Sequence, residues 1–357
     1  MDRSANRPEH RPAAITLDGL GKVYPDGTVA VGDLSLEIRA GEVVVLIGPS
    51  GCGKSTVLRM INRLIEPSRG RVLVDGEDVR SADPVELRRR IGYVIQSVGL
   101  FPHQTVRANV ATVPRLLGWD RRETADRTAR MLDLVGLDAE RLGDRYPHEL
   151  SGGQRQRVGV ARALAADPVL LLMDEPFSAV DPIARARLQD EFLRMRQAVG
   201  TTTVVVTHDL DEAIRLADRI AVLADHATLQ QYARPGQLLA APDNPFVATF
   251  VGADRGIKRL AVTPIPTDLP DLRSADRAAG PNGTRPGDWP TVAASGTLRD
   301  ALAAMLGAGA PGVVVCNHGA THHAGLVQAL QLAWSGDARL LIERDDEGFW
   351  VLSAGAV

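Results

Sequence analysis

Cysteine is scarce in this chain: only Cys52 and Cys316 occur among 357 residues. Two thiols are too few for a disulfide framework, and the scarcity points to a reducing compartment. A long apolar run is missing too. The longest apolar stretch, Ala301 to Cys316, falls short of the about 18 residues a membrane-spanning helix needs, and Gly307, Gly309, Pro311 and Gly312 break it. The opening residues, Met1 to Pro8, are polar and lack the apolar centre of a signal peptide. Neither sign of charge dominates. With 41 basic against 44 acidic residues and a net charge of −3, no global attraction to nucleic acid is expected. There is no long internal repeat and no low-complexity tract. What remains is ordinary globular composition, 45% hydrophobic and 24% charged, in a chain long enough for one large and one small domain.

The stretch that organises the rest is Gly48-Pro49-Ser50-Gly51-Cys52-Gly53-Lys54-Ser55-Thr56. It follows the apolar run Val43 to Ile47, which reads as a buried strand, and precedes Val57, Leu58, Ile61 and Leu64, which recur at helical spacing. A glycine-rich loop between strand and helix, closed by Lys-Ser, fits the phosphate-binding pattern G-x-x-x-x-G-K-[ST]. Glycines let the backbone curl so that its N–H groups surround a phosphate, and the helix N-terminus adds a favourable dipole. Lys54 supplies a point charge for the β- and γ-phosphates, and the Ser55 hydroxyl is a ligand for Mg²⁺.

Downstream, Val169 to Met173 reads as an apolar strand ending in Asp174 and Glu175. A phosphate loop needs such a strand, because Mg²⁺ takes oxygen ligands. Asp174 suits the metal directly or through water, and Glu175 is placed to polarise a water for in-line attack on the γ-phosphate.

The surrounding pattern sets the architecture. Short β-type runs from Ile15 to Ile38 predict an antiparallel edge sheet, and Gly70 to Gly76 a hairpin strand with its turn. Ile91 to Gln96 predicts a strand ending on a polar residue, and about Thr105 to Arg145 a largely helical region, with Glu123 to Leu134 its clearest part. A helix opening at Ser151, a helix near Ile183 to Val199 and a strand at Thr202 to Thr207 follow. Strands alternating with helices imply a mainly parallel sheet covered on both faces, an α/β fold. Prolines from Pro264 to Pro290 give linker composition, and beyond them lies a small segment of helices and strands.

Leu150-Ser151-Gly152-Gly153-Gln154 narrows the class. With it the chain resembles the ATPase subunits of ATP-binding-cassette (ABC) transporters, for which Leu-Ser-Gly-Gly-Gln is the signature; physically it is a second helix N-terminus able to face an anion. The resemblance covers roughly residues 14–255 and implies a P-loop ATPase fold with an antiparallel edge sheet and a helical subdomain at about 97–150. It implies ATP and Mg²⁺ as cofactors and a head-to-tail dimer in which each signature (Ser151, Gly152, Gly153, Gln154) closes on the other subunit's nucleotide. Tyr24 is expected to stack on adenine. Gln96 is expected to touch Mg²⁺ and water and to link the site to the membrane subunit, and Asp181 to lie in the loop that crosses the dimer. His208 is expected to sense the γ-phosphate. Gln96, Glu175 and His208 are thus the expected catalytic residues, and Ser55, Gln96 and Asp174 the metal ligands.

Three further stretches resemble the glycine betaine, choline and osmoprotectant importers: Ile91 to His103, Pro176 to Pro182, and Phe250 to Leu260. The resemblance implies integral permease subunits, indirectly an extracytoplasmic solute-binding protein, and a place on the cytoplasmic face of the membrane. Residues 291–357 resemble a single cystathionine-β-synthase-type (CBS) module after a linker at 256–290, where such importers commonly carry two. Leu223 to Ala227 replaces the family's usual glycine turn, with only a local change expected. His318, His322 and His323 match no closed zinc spacing and read as a polar hairpin loop, and Arg155 and Arg157 read as a solvated helix face. The rival class is a soluble cassette ATPase of DNA repair or translation; those usually carry a coiled coil, a zinc insertion or a second cassette.

Overall fold

The computed structural model describes residues 12–178, 180, 182–252, 255–264, 291–293, 295–308, 312–317, 320–325, 338–344 and 350–356. Two compact units divide the chain, residues 1–250 and 251–357.

The first unit opens with β1 (Ile15–Val23), β2 (Val29–Ile38) and β3 (Val43–Ile47), then α1 (Lys54–Ile61), the hairpin β4 (Arg69–Val74) and β5 (Glu77–Asp78), α2 (Pro84–Arg90) and β6 (Ile91–Val94). Four helices follow, α3 (Val106–Val110), α4 (Thr112–Leu116), α5 (Arg121–Leu134) and α6 (Ala139–Leu142). The rest alternates: α7 (Gly152–Leu164), β7 (Leu170–Asp174), α8 (Pro182–Val199), β8 (Thr202–Thr207), α9 (Leu210–Leu216), β9 (Arg219–Ala224), β10 (Thr228–Ala233), α10 (Pro235–Ala240) and α11 (Pro245–Val251).

Two sheets result. The first has the antiparallel order β2-β1-β4-β5, as the Ile15–Ile38 pattern predicts. The second has the order β10-β9-β3-β8-β7-β6 and is parallel from β9 to β6, with β10 antiparallel at its edge. Every residue of β3, β7 and β8 is buried. That uniform burial is why these strands read as continuous apolar runs, since both faces of a parallel sheet are covered.

The register of this sheet is what builds a site. Ile47 pairs with Thr207, Asp174 with Val206, and Val94 with Met173. Parallel strands in this register end at one edge, so the segments leaving β3, β8, β7 and β6 emerge side by side. Ligands of open α/β sheets bind at that carboxyl edge.

Between β9 and β10 the chain turns through Asp225–Ala227 without a glycine, with His226 at φ 58° and Ala227 at φ 53°. A His226 ring nitrogen bonds the Val29 carbonyl at 2.6 Å, and the Ala227 N–H donates to the Cys52 carbonyl at 2.6 Å, so the turn buttresses the glycine-rich loop.

In the second unit α12 (Arg255–Leu260) occupies the start of the stretch expected as linker; no proline falls before Pro264. β11 (Thr291–Ala293), α13 (Leu298–Ala308) and β12 (Gly312–Asn317) form a β-α-β unit with parallel strands, and β13 (Ala320–Gly325) adds antiparallel to β12. Thr297 and Asp300 cap α13 reciprocally, the Thr297 N–H donating to Asp300 Oδ2 at 2.8 Å. β14 (Ala338–Arg344) and β15 (Trp350–Ala356) form a hairpin. His322 and His323 stand in β13, paired with Val315 and Val314, rather than in the expected hairpin loop; His318 lies outside the described residues. Among the described residues no group of three His, Cys, Asp or Glu is placed to hold a metal.

Candidate functional site

The glycine-rich loop leaves β3 at Gly48 and re-enters regular structure at Lys54, the first residue of α1. Two of its glycines are required by contact. A Cβ on Gly48 would strike the Leu223 carbonyl oxygen, and one on Gly53, at φ 109°, would strike the Ala30 carbonyl oxygen. Ser50 and Gly51 are exposed at the rim, Cys52 is buried, and Ser55 and Thr56 lie half-buried in the first turn of α1. Lys54 is only 6% exposed. Its ammonium donates to the carbonyls of Gly48 at 2.8 Å and Pro49 at 2.7 Å, which holds the cation within the loop.

The Ser55 hydroxyl donates to Asp174 Oδ1 at 2.8 Å. A hydroxyl and a carboxylate side by side are oxygen donors of the kind Mg²⁺ takes. Burial pushes the Asp174 carboxyl above its ordinary value; the Ser55 hydrogen bond and the charges of Arg59 and Lys54 oppose that shift. A buried carboxylate with two nearby cations and only one bonded hydroxyl is poised to gain from a metal ion.

Glu175 leaves β7 in the left-handed region at φ 46°, a position its own bonds hold: its N–H donates to the Val206 carbonyl at 2.9 Å, and Ser178 Oγ donates to its carbonyl at 3.0 Å. This departure from the strand turns the side chain toward two neighbours. The Gln96 amide donates to Glu175 Oε2 at 2.9 Å, and His208 Nδ1 stands 3.3 Å from Oε1. A left-handed backbone at a carboxylate with such partners makes Glu175 a candidate functional position. Three residues far apart in sequence thus meet on one carboxylate, beside Ser55 and Asp174. The sequence reading places Gln96 at the end of a strand; the structure places it two residues past β6, in a turn.

Ser151 caps α7. Its Oγ accepts from the Gln154 N–H at 3.2 Å while Gln154 Oε1 accepts from the Ser151 N–H at 2.9 Å, a capping box that leaves Ser151 exposed. Gly152 and Gly153 form the first turn, facing a groove of about 500 Å³ also lined by Leu137, Arg141 and Val180. Arg155 and Arg157 are not the solvated face expected. Arg155 reaches back to the Leu150 carbonyl at 2.7 Å, and Arg157 pairs with Glu191 at 3.0 Å, so both are half-buried. Tyr24 lies in the turn after β1, with the Lys22 ammonium 5.4 Å from its ring centre. Asp181 lies outside the described residues.

Behind His208 is a network the sequence reading missed. Asp209 caps α9, accepting from Asp211 and Glu212 N–H groups, and Arg185 links the Val180 carbonyl (3.2 Å) to Asp209 (3.5 Å). Glu212 is 4% exposed, and its Oε1 has no hydrogen-bond partner. Burial first, and the Asp209 charge second, push its carboxyl up to about 8. An Asp-Leu-Asp-Glu run reads as an ordinary acidic first turn of a helix; that its last member faces inward follows only from how α9 packs.

A family model for ABC transporters matches residues 31–178. Over 291 residues the chain is 47% identical to the choline transport ATP-binding protein OpuBA of Bacillus subtilis (strain 168), covering 82% of this chain and 72% of that protein. It is 48% identical over 289 residues to the glycine betaine uptake system ATP-binding protein YehX of Escherichia coli (strain K12), covering 81% and 89% respectively. Identity to the glycine betaine/carnitine/choline transport ATP-binding protein OpuCA of Bacillus subtilis (strain 168) is 53% over 244 residues, 68% of this chain and 64% of that longer relative. Among solved structures, the dimeric bacterial ABC transporter cassette MJ0796 is similar with TM-score 0.56 and 34% identity, covering 62% of this chain and 98% of that one.

Proposed function

This chain belongs to the ATP-binding subunits of ABC transporters, and from that premise we propose that it hydrolyses ATP to drive uptake of a quaternary-amine compatible solute. The observation that carries the hydrolytic role is the meeting of Gln96, Glu175 and His208 beside the Ser55–Asp174 pair. The substrate class is supported by the relatives, whose names specify choline and glycine betaine.

In this reading the loop N–H groups and Lys54 would bind the phosphates, while Ser55, Asp174 and Gln96 would hold Mg²⁺, whose charge would favour the phosphoryl transition state. Glu175 accepts the proton of the attacking water, and Gln96 and His208 orient its two oxygens. Tyr24 stacks on the adenine. Ser151 and the first turn of α7 complete the site of a second copy, as does the segment around Asp181; that a similar cassette is dimeric supports the pairing of two copies. Integral permease subunits, served by an extracytoplasmic solute-binding protein, hold the dimer at the cytoplasmic face. Among the described residues no helix is long and apolar enough to cross a membrane. Residues 291–357 act as a CBS-type regulatory module; the β11-α13-β12 unit with β13 supports that assignment.

Phosphate release by the purified chain with Mg-ATP tests the hydrolytic role. Turnover is expected in the wild type and near-abolition in Glu175→Gln, with nucleotide binding retained; general-base help is typically worth about 10²–10⁴ in rate. Turnover in the variant within a few-fold of wild type would overturn the assignment. Uptake of labelled choline and glycine betaine by cells with and without the intact chain tests the substrate class; equal uptake of both would refute it.

A further inference from the structure

Gln96 reaches Glu175 from a segment with an unusual backbone. Val98 adopts φ 60° and Gly99 φ 53°, two consecutive left-handed residues. Glycine accepts that region freely, whereas a β-branched residue there is a genuine outlier and persists only when its surroundings hold it. The surroundings are specific. Arg162, near the C-terminal end of α7, donates from one guanidinium nitrogen to the Val98 carbonyl at 2.8 Å and from the other to the Gly99 carbonyl at 2.7 Å. Gly159, one turn earlier on the same helix, makes room for the valine: a Cβ there would come within 2.8 Å of Val98 Cγ1.

A second anchor fixes the far end. Asn109 is fully buried, and its amide donates to the carbonyls of Phe101, Gln104 and Thr105 at 3.0–3.1 Å while its oxygen accepts from the Phe101 N–H at 2.8 Å. Between these anchors Phe101 packs with its ring 5.9 Å from the Arg162 guanidinium. The remaining end of the segment is Gln96, 2.9 Å from the carboxylate of Glu175.

We propose that Arg162 is a positioning residue for hydrolysis: its grip on the Val98 and Gly99 carbonyls holds a strained turn that sets Gln96 against Glu175. The inference rests on the reading of Glu175 as the hydrolytic carboxylate. It also gives α7 two roles, since the helix that begins at Ser151 ends by fixing Gln96. Sub-ångström placement of a catalytic partner is the kind of effect that changes turnover without changing ground-state binding.

The experiment compares wild type, Arg162→Met and Arg162→Met/Val98→Gly as full chains, measuring kcat and KM for ATP together with hydrogen exchange over residues 96–101. Arg162→Met is expected to lower kcat about tenfold to a hundredfold with KM nearly unchanged, and to speed exchange in that segment. Adding Val98→Gly removes the strain that Arg162 opposes and is expected to restore most of kcat. An Arg162→Met enzyme within twofold of wild type, a change confined to KM, or no recovery in the double variant would overturn the proposal. Should Arg162→Met fail to fold, Arg162→Gln, whose amide is shorter and offers two N–H donors against the five of a guanidinium, takes its place with an intermediate loss expected. A wild-type chain without turnover refutes the hydrolytic reading instead, and unchanged exchange in the variants would then still refute the clamp.

Discussion

Replacing Glu212 by Gln is expected to stabilise the first unit, and by an amount that depends on pH. The carboxyl is 4% exposed and held at about 8, against an ordinary value of 4.5. Between these values the unfolded chain has released the proton and the folded chain retains it. Stability therefore falls as pH rises through the window, by about 1.4 kcal/mol per pH unit, and levels off above 8, where both states are ionised. At pH 7 the accumulated penalty is about 3 kcal/mol. A glutamine has the same shape and no proton to lose. It still leaves an oxygen without a partner, as Glu212 Oε1 is now, so that cost is a constant offset while the slope disappears. Denaturant unfolding followed by circular dichroism at pH 5, 6, 7 and 8 measures this. The gap between variant and wild type should widen by about 3 kcal/mol from pH 5 to pH 8, with other titrating groups cancelling in the difference. A gap that stays flat over that range would refute the argument, because it would mean that Glu212 ionises in the folded protein as readily as in the unfolded one.

Lys54→Ala removes the cation that spans the Gly48 and Pro49 carbonyls and that we propose binds the phosphates; ATP affinity in a direct binding assay should drop at least tenfold. Ser151→Arg should leave single-chain ATP binding intact but block turnover, and mixing it with Lys54→Ala protein should recover part of the activity through one composite site per heterodimer. Normal turnover by Ser151→Arg alone would sink the head-to-tail arrangement. Truncation after Arg259 should leave basal phosphate release largely intact while changing how transport responds to ionic strength; loss of release from a folded, soluble truncation would show that the second unit takes part in hydrolysis.

The parts of the site that were legible in the sequence are those where one local pattern states its own context. Val43 to Ile47 followed by Gly48 can only be a buried strand entering a turn, and Lys54-Ser55 names the helix start. Asp174 and Glu175 end an apolar run, and the parallel sheet carries that run to the same edge. Legibility stops where the decisive fact is which side of a helix packs inward. Arg155 and Arg157 have the composition of a solvated face, yet each satisfies a carbonyl or carboxylate on a neighbouring element. The same holds for Glu212, whose burial depends on α9 lying against the sheet. Backbone conformation is the other blind spot. Nothing in a Val-Gly pair announces two left-handed residues, because Val98 is held there by an arginine distant in sequence. His322 and His323 show the reverse error: polar residues that read as a hairpin loop stand in a strand, paired with Val315 and Val314.

The order of the strands has a consequence for biosynthesis. Val43 of β3 pairs with Thr203 of β8, and β7 docks on the far side of β8. The glycine-rich loop therefore leaves the ribosome long before the strand that must sit beside it. At about 5–20 residues per second the wait is roughly ten to thirty seconds. During that time β3 is an unpaired apolar strand, an aggregation hazard that a helix-first unit would not carry.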